Sequence, residues 1–164
     1  MEEIAQAAGV GVGTLYRHFP DKTALLDAVG ARTLHAFADV TAALVDEPAA
    51  SGDVVALLHR YLERAAADAT LRFALSAASR DAGSLVHDAM RAHREDLEKL
   101  IARDITRGLV RPGFDVDAFR ALCAAVVLTM DAPLPTDSWR TVAAILEDGL
   151  CPPVARLRCG TRAS

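Results

Sequence analysis

The chain lacks most features that would place it outside a reducing compartment. Its 164 residues hold three cysteines, Cys123, Cys151 and Cys159. An odd, scattered set with no Cys-x-x-Cys pair excludes a disulfide framework and a thiolate zinc site. His87 and Asp88 point apart and His59 lies on another segment, so no metal and no other cofactor is expected. Met1 is followed by Glu2 and Glu3 rather than by the positive start of a secretory signal. The longest strongly apolar run, residues 121–130, is about half of a membrane span. These absences predict a soluble, cytoplasmic protein with no membrane partner. Basic residues are in deficit: 18 Lys and Arg stand against 22 Asp and Glu, a net charge of −4. A surface that grips nucleic acid everywhere is excluded, and any such contact must be local. There is no Gly-x-Ser-x-Gly, no phosphate-binding glycine loop and no His-Glu-x-x-His, so no catalytic residue is expected and the chain is not read as an enzyme.

Alternating runs of Val, Ile and Thr are also missing, which argues against strands, while Ala and Leu recur at helical spacing. With 52% hydrophobic and 24% charged residues the chain is globular. Breakers divide it into roughly eight helices. Met1 to Ala8 ends at Gly9, and Val12 to His18 ends at Phe19-Pro20. A long helix capped by Asp21 carries Leu25, Leu26, Val29, Thr33, Phe37, Val40 and Leu44. Glu47-Pro48 and Ser51-Gly52 break the chain, and Asp53 is expected to cap a helix with Val54, Leu57, Leu58, Tyr61 and Leu62. A short helix near 71–79 and a break at 81–83 follow. One helix is expected from Ser84 to about Arg107, stopped by Gly108 and the turn Arg111-Pro112-Gly113. Asp115 starts a helix to Met130 that is apolar nearly all round. The last helix, about 136–150, turns Trp139, Val142, Ile145 and Leu146 inward and ends at Pro152-Pro153. The tail, 152–164, with Arg156, Arg158 and Arg162 and no acid, is expected to be loose.

The segment Ile4-Ala5-Gln6-Ala7-Ala8-Gly9-Val10 with Gly11-Val12-Gly13-Thr14-Leu15-Tyr16-Arg17-His18-Phe19 carries the functional reading. In a helix-turn-helix each part has a mechanical reason. Ala5 is small enough for the second helix to approach. Gly9 sits where the turn needs positive φ. Ile4, Ala8, Val10 and Leu15 are spaced to form a small core. Thr14, Tyr16, Arg17 and Lys22 are then free to reach DNA, with hydroxyl, amine and guanidinium donors suited to phosphates and base edges.

This stretch, through Pro20-x-Lys22-x-Ala24-Leu25-Leu26, resembles the signature of the TetR family of bacterial transcriptional regulators. The resemblance implies an all-α protein, a helix-turn-helix head on a helical-bundle domain for effector binding and dimerisation. It implies that Gly11, Val12, Gly13 and Arg17 face the major groove, and that Thr14, Tyr16, His18 and Lys22 hold phosphates. Two positions depart from the family pattern: Gly11 stands where Ser is frequent, and Val12 where a polar residue is frequent. Few side chains are then left to hydrogen-bond bases, which makes Arg17 the leading base reader. Such heads begin with a helix that has no counterpart here, so the head is expected to be incomplete and to bind DNA weakly. Within residues 1–40, Arg17, Lys22 and Arg32 stand against Glu2, Glu3, Asp21, Asp27 and Asp39, a local charge of −2 before the histidines. Residues 108–112 and the segment from Trp139 to Leu150 look like the SbtR-like branch of the family.

The expected organisation is therefore a head at 1–35, an effector-binding and dimerisation domain at 36–151, and the tail. The expected function is a ligand-responsive DNA-binding regulator, a repressor that reads a palindromic operator in double-stranded DNA as a homodimer paired through residues 115–150. The alternative is a helical small-molecule sensor or interaction protein without autonomous DNA binding. Tyr61, Met90, His93 and Phe119 are the candidates to touch an unidentified small-molecule effector. A simpler role in the core stands open for each, as it does for Phe73, Phe114, Met130 and Trp139, and a lone His such as His93 on an apolar face is more often a core histidine with a satisfied hydrogen bond. Cys123 reads as inert packing. Cys159 would be reactive only if exposed. The mixed charges from Arg91 to Asp104 read as a solvated helix face.

Overall fold

The structure, a computed structural model, describes residues 1–46, 52–72 and 83–151. The expected break at Glu47-Pro48, Ser51, Phe73, the helix beyond residue 72, the break at 81–82, and the tail with Pro152-Pro153 and Cys159 lie outside the described residues. Among those described there are helices and no strand. They are α1 (Glu2–Ala7), α2 (Val12–His18), α3 (Lys22–Asp46), α4 (Asp53–Ala67), α5 (Leu85–Ala92), α6 (Arg94–Thr106), α7 (Val116–Met130) and α8 (Ser138–Leu150). A further helical stretch, 69–72, begins after Asp68. No helix among them is long and apolar enough to cross a membrane.

Local chemistry sets most helix ends. The Asp21 carboxylate accepts from Ala24 N–H at 2.8 Å and starts α3. Asp115 accepts from Ala118 N–H at 2.7 Å and starts α7, and Ser84 accepts from His87 N–H at 3.1 Å at the start of α5. Each satisfies one of the donors that a helix N-terminus leaves free. α3, with 25 residues, is about 37 Å long. The expected division after residue 35 falls inside it, so the head and the body share this helix.

The main core is built by α3 to α8. Leu34 of α3, Leu58 and Leu62 of α4, Val86 of α5, Leu100 of α6, and Val116 and Val126 of α7 are almost fully buried. Each such side chain contributes roughly 1.5–3 kcal/mol by leaving water. α3 packs most extensively against α5, and α7 against α8 and α4. At the α3–α5 crossing the Asp27 carboxylate accepts from Leu85 N–H at 2.7 Å and Val86 N–H at 3.2 Å. Ala5 and Leu15 of the head are buried, yet they do not join this core, whose first member along the chain is Ala31.

Several sequence expectations are corrected. Asp53 does not cap α4. It is the first residue of the helix and fully buried, and the cap comes from Asp104 of α6, whose Oδ2 accepts from Asp53 N–H at 2.7 Å and Val54 N–H at 2.9 Å. The residue before it, Gly52, has φ +100°, and an added Cβ would lie 3.3 Å from Leu109 and 3.5 Å from Asp104 Oδ2. A side chain there would be strained and would press on Leu109. Arg103 completes the junction. Its guanidinium donates to the carbonyls of Leu44 and Val45 at the end of α3 and pairs with Asp53 at 2.7 Å. Two buried carboxylates are tolerated because peptide N–H groups and arginines meet them. The region 91–104 is thus a solvated face, with Arg94–Glu98 and Lys99–Glu95 pairs, only until Arg103 and Asp104 turn inward.

The single helix expected from Ser84 to Arg107 is two helices, broken at His93. The His93 ring Nδ1 lies 2.8 Å from the Ala89 carbonyl, the acceptor that the next backbone N–H in a continuous helix would use. A side chain inserted into the hydrogen-bond ladder is a recognised cause of a kink. Ile145, expected inward, is 65% exposed, and Ala143 and Leu150 hold the inner face of α8 beside Trp139.

Candidate nucleic-acid interface

The head is made by α1, a short turn and α2. Gly9 has φ +67°, the left-handed conformation that the turn was expected to need. Gly9 N–H donates to Gln6 carbonyl at 3.1 Å and Val10 N–H to Ala5 carbonyl at 3.0 Å. These two bonds, with the glycine between them, form the helix-ending arrangement in which reversed carbonyl acceptors of the last turn are satisfied. An added Cβ at Gly9 would meet nothing within 4 Å, so backbone conformation alone selects glycine there. Ala5 is fully buried and Leu15 nearly so, and they fasten α2 to α1. Ile4 and Phe19 are half-buried, while Ala8 and Val10 are exposed and add little to the expected small core.

Leu15 is the only buried residue of α2. Gly11, Val12, Gly13, Thr14, Tyr16, Arg17 and His18 are all exposed, as is Lys22 at the first position of α3. Large apolar and aromatic side chains stand in water here, with Val12 38% and Tyr16 48% exposed. α2 carries no acidic residue, and Arg17 and His18 lie in its last turn. The predicted DNA-contacting residues therefore lie on the exposed faces of α2 and at the start of α3, with α2 held by the single buried residue Leu15. The acids of the head lie off α2, with Glu2 and Glu3 in the first turn of α1.

The four residues proposed from sequence for effector contact come from different helices. Tyr61 of α4 packs its ring against Phe37 of α3, with centroids 5.4 Å apart. Phe119 of α7 is buried, and Tyr61 and Met90 pack against the same core. His93 is half-buried at the α5–α6 junction. Burial depresses its basicity, the Ala89 hydrogen bond opposes that, and the nearby charges of Arg120 and His35 add to the depression. Burial pushes the Tyr61 hydroxyl well above its ordinary range, Cys123 adds to the rise, and Arg120 pulls the other way. Burial pushes the Cys123 thiol up and a backbone hydrogen bond only partly opposes it, in keeping with inert packing. The residue that links these groups, Arg120 of α7, was missed. Its guanidinium donates to the Met90 carbonyl. The available signal was a lone cation at the start of the most apolar helix.

A second surface lies on the outer side of α7 and α8. Leu128 is 67% and Ile145 65% exposed, and Ala121, Ala124 and Ala125 extend the exposed stripe along α7. Val127, on the same stripe of the helix as Val116, Phe119, Cys123 and Val126, is buried in the core with them.

Residues 1–29 match the family described as bacterial regulatory proteins, tetR family, and residues 49–152 match the transcriptional regulator SbtR-like C-terminal domain. A TetR transcriptional regulator of Streptomyces coelicolor shares 28% identity, with a TM-score of 0.61 over 93% of this chain and 87% of that one. A TetR transcription regulatory protein of Mycobacterium vanbaalenii shares 31% identity, with a TM-score of 0.56 over 92% of this chain and 81% of that one. The fatty acid degradation regulator FadR of Bacillus halodurans, at 20% identity and a TM-score of 0.56 over 90% and 86% of the two chains, shares the fold. No curated protein matches at a significant level.

Proposed function

Because the chain belongs to the TetR family of bacterial transcriptional regulators and carries an SbtR-like C-terminal domain, we propose that it is a cytoplasmic, ligand-responsive repressor that binds a palindromic operator as a homodimer. The observation that carries the DNA-binding reading is the acid-free, almost fully exposed α2 behind the Gly9 turn. Gly11, Val12, Gly13 and Arg17 meet the major groove, and Thr14, Tyr16, His18 and Lys22 meet phosphates. Residues 1–35 act as the head and 36–151 as the effector-binding and dimerising body, with Tyr61, Met90, His93 and Phe119 at the effector. The exposed stripe through Leu128 and Ile145 pairs with its copy, since an isolated apolar patch of this kind is unfavourable in water. Two α2 helices in a dimer then read half-sites one or more helical turns apart.

The test is a gel-shift titration on promoter DNA from the protein's own locus across a range of salt. Lys22→Ala is expected to weaken binding to all sequences alike and to lower the salt slope by about one phosphate contact. A change in base preference instead would show that the register of α2 on DNA is wrong. Absence of any salt-sensitive binding by the unmodified chain would favour the alternative, a helical sensor without autonomous DNA binding, which the local charge of −2 over residues 1–40 makes the natural competitor.

A further inference from the structure

Arg120 stands in an environment that a permanent cation does not choose without a reason. It follows the buried Phe119, and Cys123, Val126 and Val127 continue the same helix into the core. It is half-buried, and burial is the main influence lowering its basicity, with the charge of Arg94 next, while Asp117, Tyr61 and Glu98 oppose them from a distance. Its ordinary counter-ion would be Asp117, one helical turn earlier. Asp117 is taken: Arg94 grips both its oxygens, at 2.9 and 3.1 Å, and also holds Glu98 at 2.9 Å. Among the described residues Arg120 makes one hydrogen bond, to the Met90 carbonyl, and no ion pair. Arginine keeps its proton in proteins and offers five N–H donors, so most of its donor capacity is unspent.

Its surroundings combine polar and apolar groups. The Arg120 charge reaches both Tyr61 and His93, and His93 also feels His35. The Tyr61 hydroxyl makes no hydrogen bond among the described residues, while its ring is stacked in a tilted pair with Phe37. His93 has Nδ1 committed to Ala89, leaving Nε2. The Arg120 guanidinium, hydrogen-bonded to Met90, thus lies within electrostatic reach of the Tyr61 phenol and the His93 imidazole, and Phe37, Tyr61, Met90 and Phe119 belong to or pack against one apolar core. A few convergent polar groups on an apolar lining are the usual composition of a small-molecule site.

We propose that Arg120 is the anion-reading residue of the effector site, and that the effector is a small carboxylate with an apolar body. The planar guanidinium fork matches a carboxylate in bidentate geometry. Tyr61 assists as a second donor to the same carboxylate. His93, whose Nδ1–H is given to Ala89, presents only an accepting Nε2 and borders the site, and the apolar lining takes the body of the molecule. This rests on the reading of residues 36–151 as an effector domain.

The experiment is isothermal titration of the full chain, without DNA, with octanoate, decanoate and dodecanoate and with their primary amides. At least one carboxylate is expected to bind about tenfold or more tighter than its amide, the difference that about 1.4 kcal/mol makes. Arg120→Gln removes that preference by weakening the carboxylate far more than the amide. Arg120→Lys retains the charge and keeps part of the preference while losing the bidentate match, and it serves if Arg120→Gln does not fold. Carboxylates that bind no better than amides, or a preference that persists in Arg120→Gln, overturn the assignment. A gel shift with decanoate is read separately. Carboxylate binding through Arg120 with no effect on DNA leaves the anion site standing and counts against the regulatory reading.

Discussion

Gly13→Ala separates what α2 needs as a helix from what it presents to DNA. Gly13 lies in the first turn of α2, does not have positive φ, and an added Cβ meets nothing within 4 Å. Neither backbone strain nor packing accounts for glycine here. In the free protein the methyl group carries no clash, so only helix propensity changes, and alanine gains about 0.5 kcal/mol, the low end of the range because the first turn is partly formed by its cap. That corresponds to roughly a twofold rise in protection of α2 amides from hydrogen exchange. On DNA the signs reverse. If Gly13 faces the groove closely, the methyl costs about 1 kcal/mol or more at each of two heads, comparable to a mismatched base pair. Operator affinity then falls by about tenfold or more, well beyond what a better-formed helix could restore. The assays are exchange mass spectrometry on the free chain and fluorescence anisotropy on its operator. Higher protection with unchanged or tighter DNA binding would refute the placement of Gly13 at the groove. Lower protection would refute the packing argument itself.

Two more outcomes are expected. Asp104→Ala removes the carboxylate that caps α4 and takes from Arg107 a counter-charge 3.6 Å away, so urea unfolding should show a loss of about 3 kcal/mol. A loss under about 1 kcal/mol would mean that water replaces the cap freely. Leu128→Arg should convert a dimer into monomers without loss of helicity, because Leu128 is exposed. Light scattering of the unmodified chain as a clean monomer at micromolar concentration would remove the pairing, whatever the variant does.

What the sequence could declare was local. Asp21 and Asp115 announce their helices because a capping carboxylate acts on the residue three positions on. Gly9 is legible because left-handed backbone is nearly a monopoly of glycine. The head residues around it follow from a contiguous stretch in which the turn, the small contact residue and the exposed donors are all neighbours. Ile145 was misplaced for a different reason: apolar periodicity reports which side chains avoid water, and a helix with two apolar sides does not say which of them meets its own core.

The remaining misses share one cause, that the partner is distant in sequence. Asp53 has the chemistry of a cap and the position of one, yet its role passes to a carboxylate 51 residues away. Nothing near Asp104 separates it from the solvated Asp96 or Glu98, which carry the same charge on the same helix. Their fates differ because the end of α3 and the start of α4 arrive beside one and not the others. The break at His93 is the exception, with a local cause. It contains no glycine or proline to announce it, and it arises because the imidazole claims the carbonyl of its own preceding turn. Arg120 combines both cases. Its expected partner, one turn back on α7, is captured by Arg94 from α6, and only that tertiary competition turns an ordinary surface pair into an under-neutralised cation facing the core. Functional charge in this chain is therefore set by which carboxylates the fold assigns elsewhere, and that is a property of the packing of α6 on α7 rather than of either helix read alone.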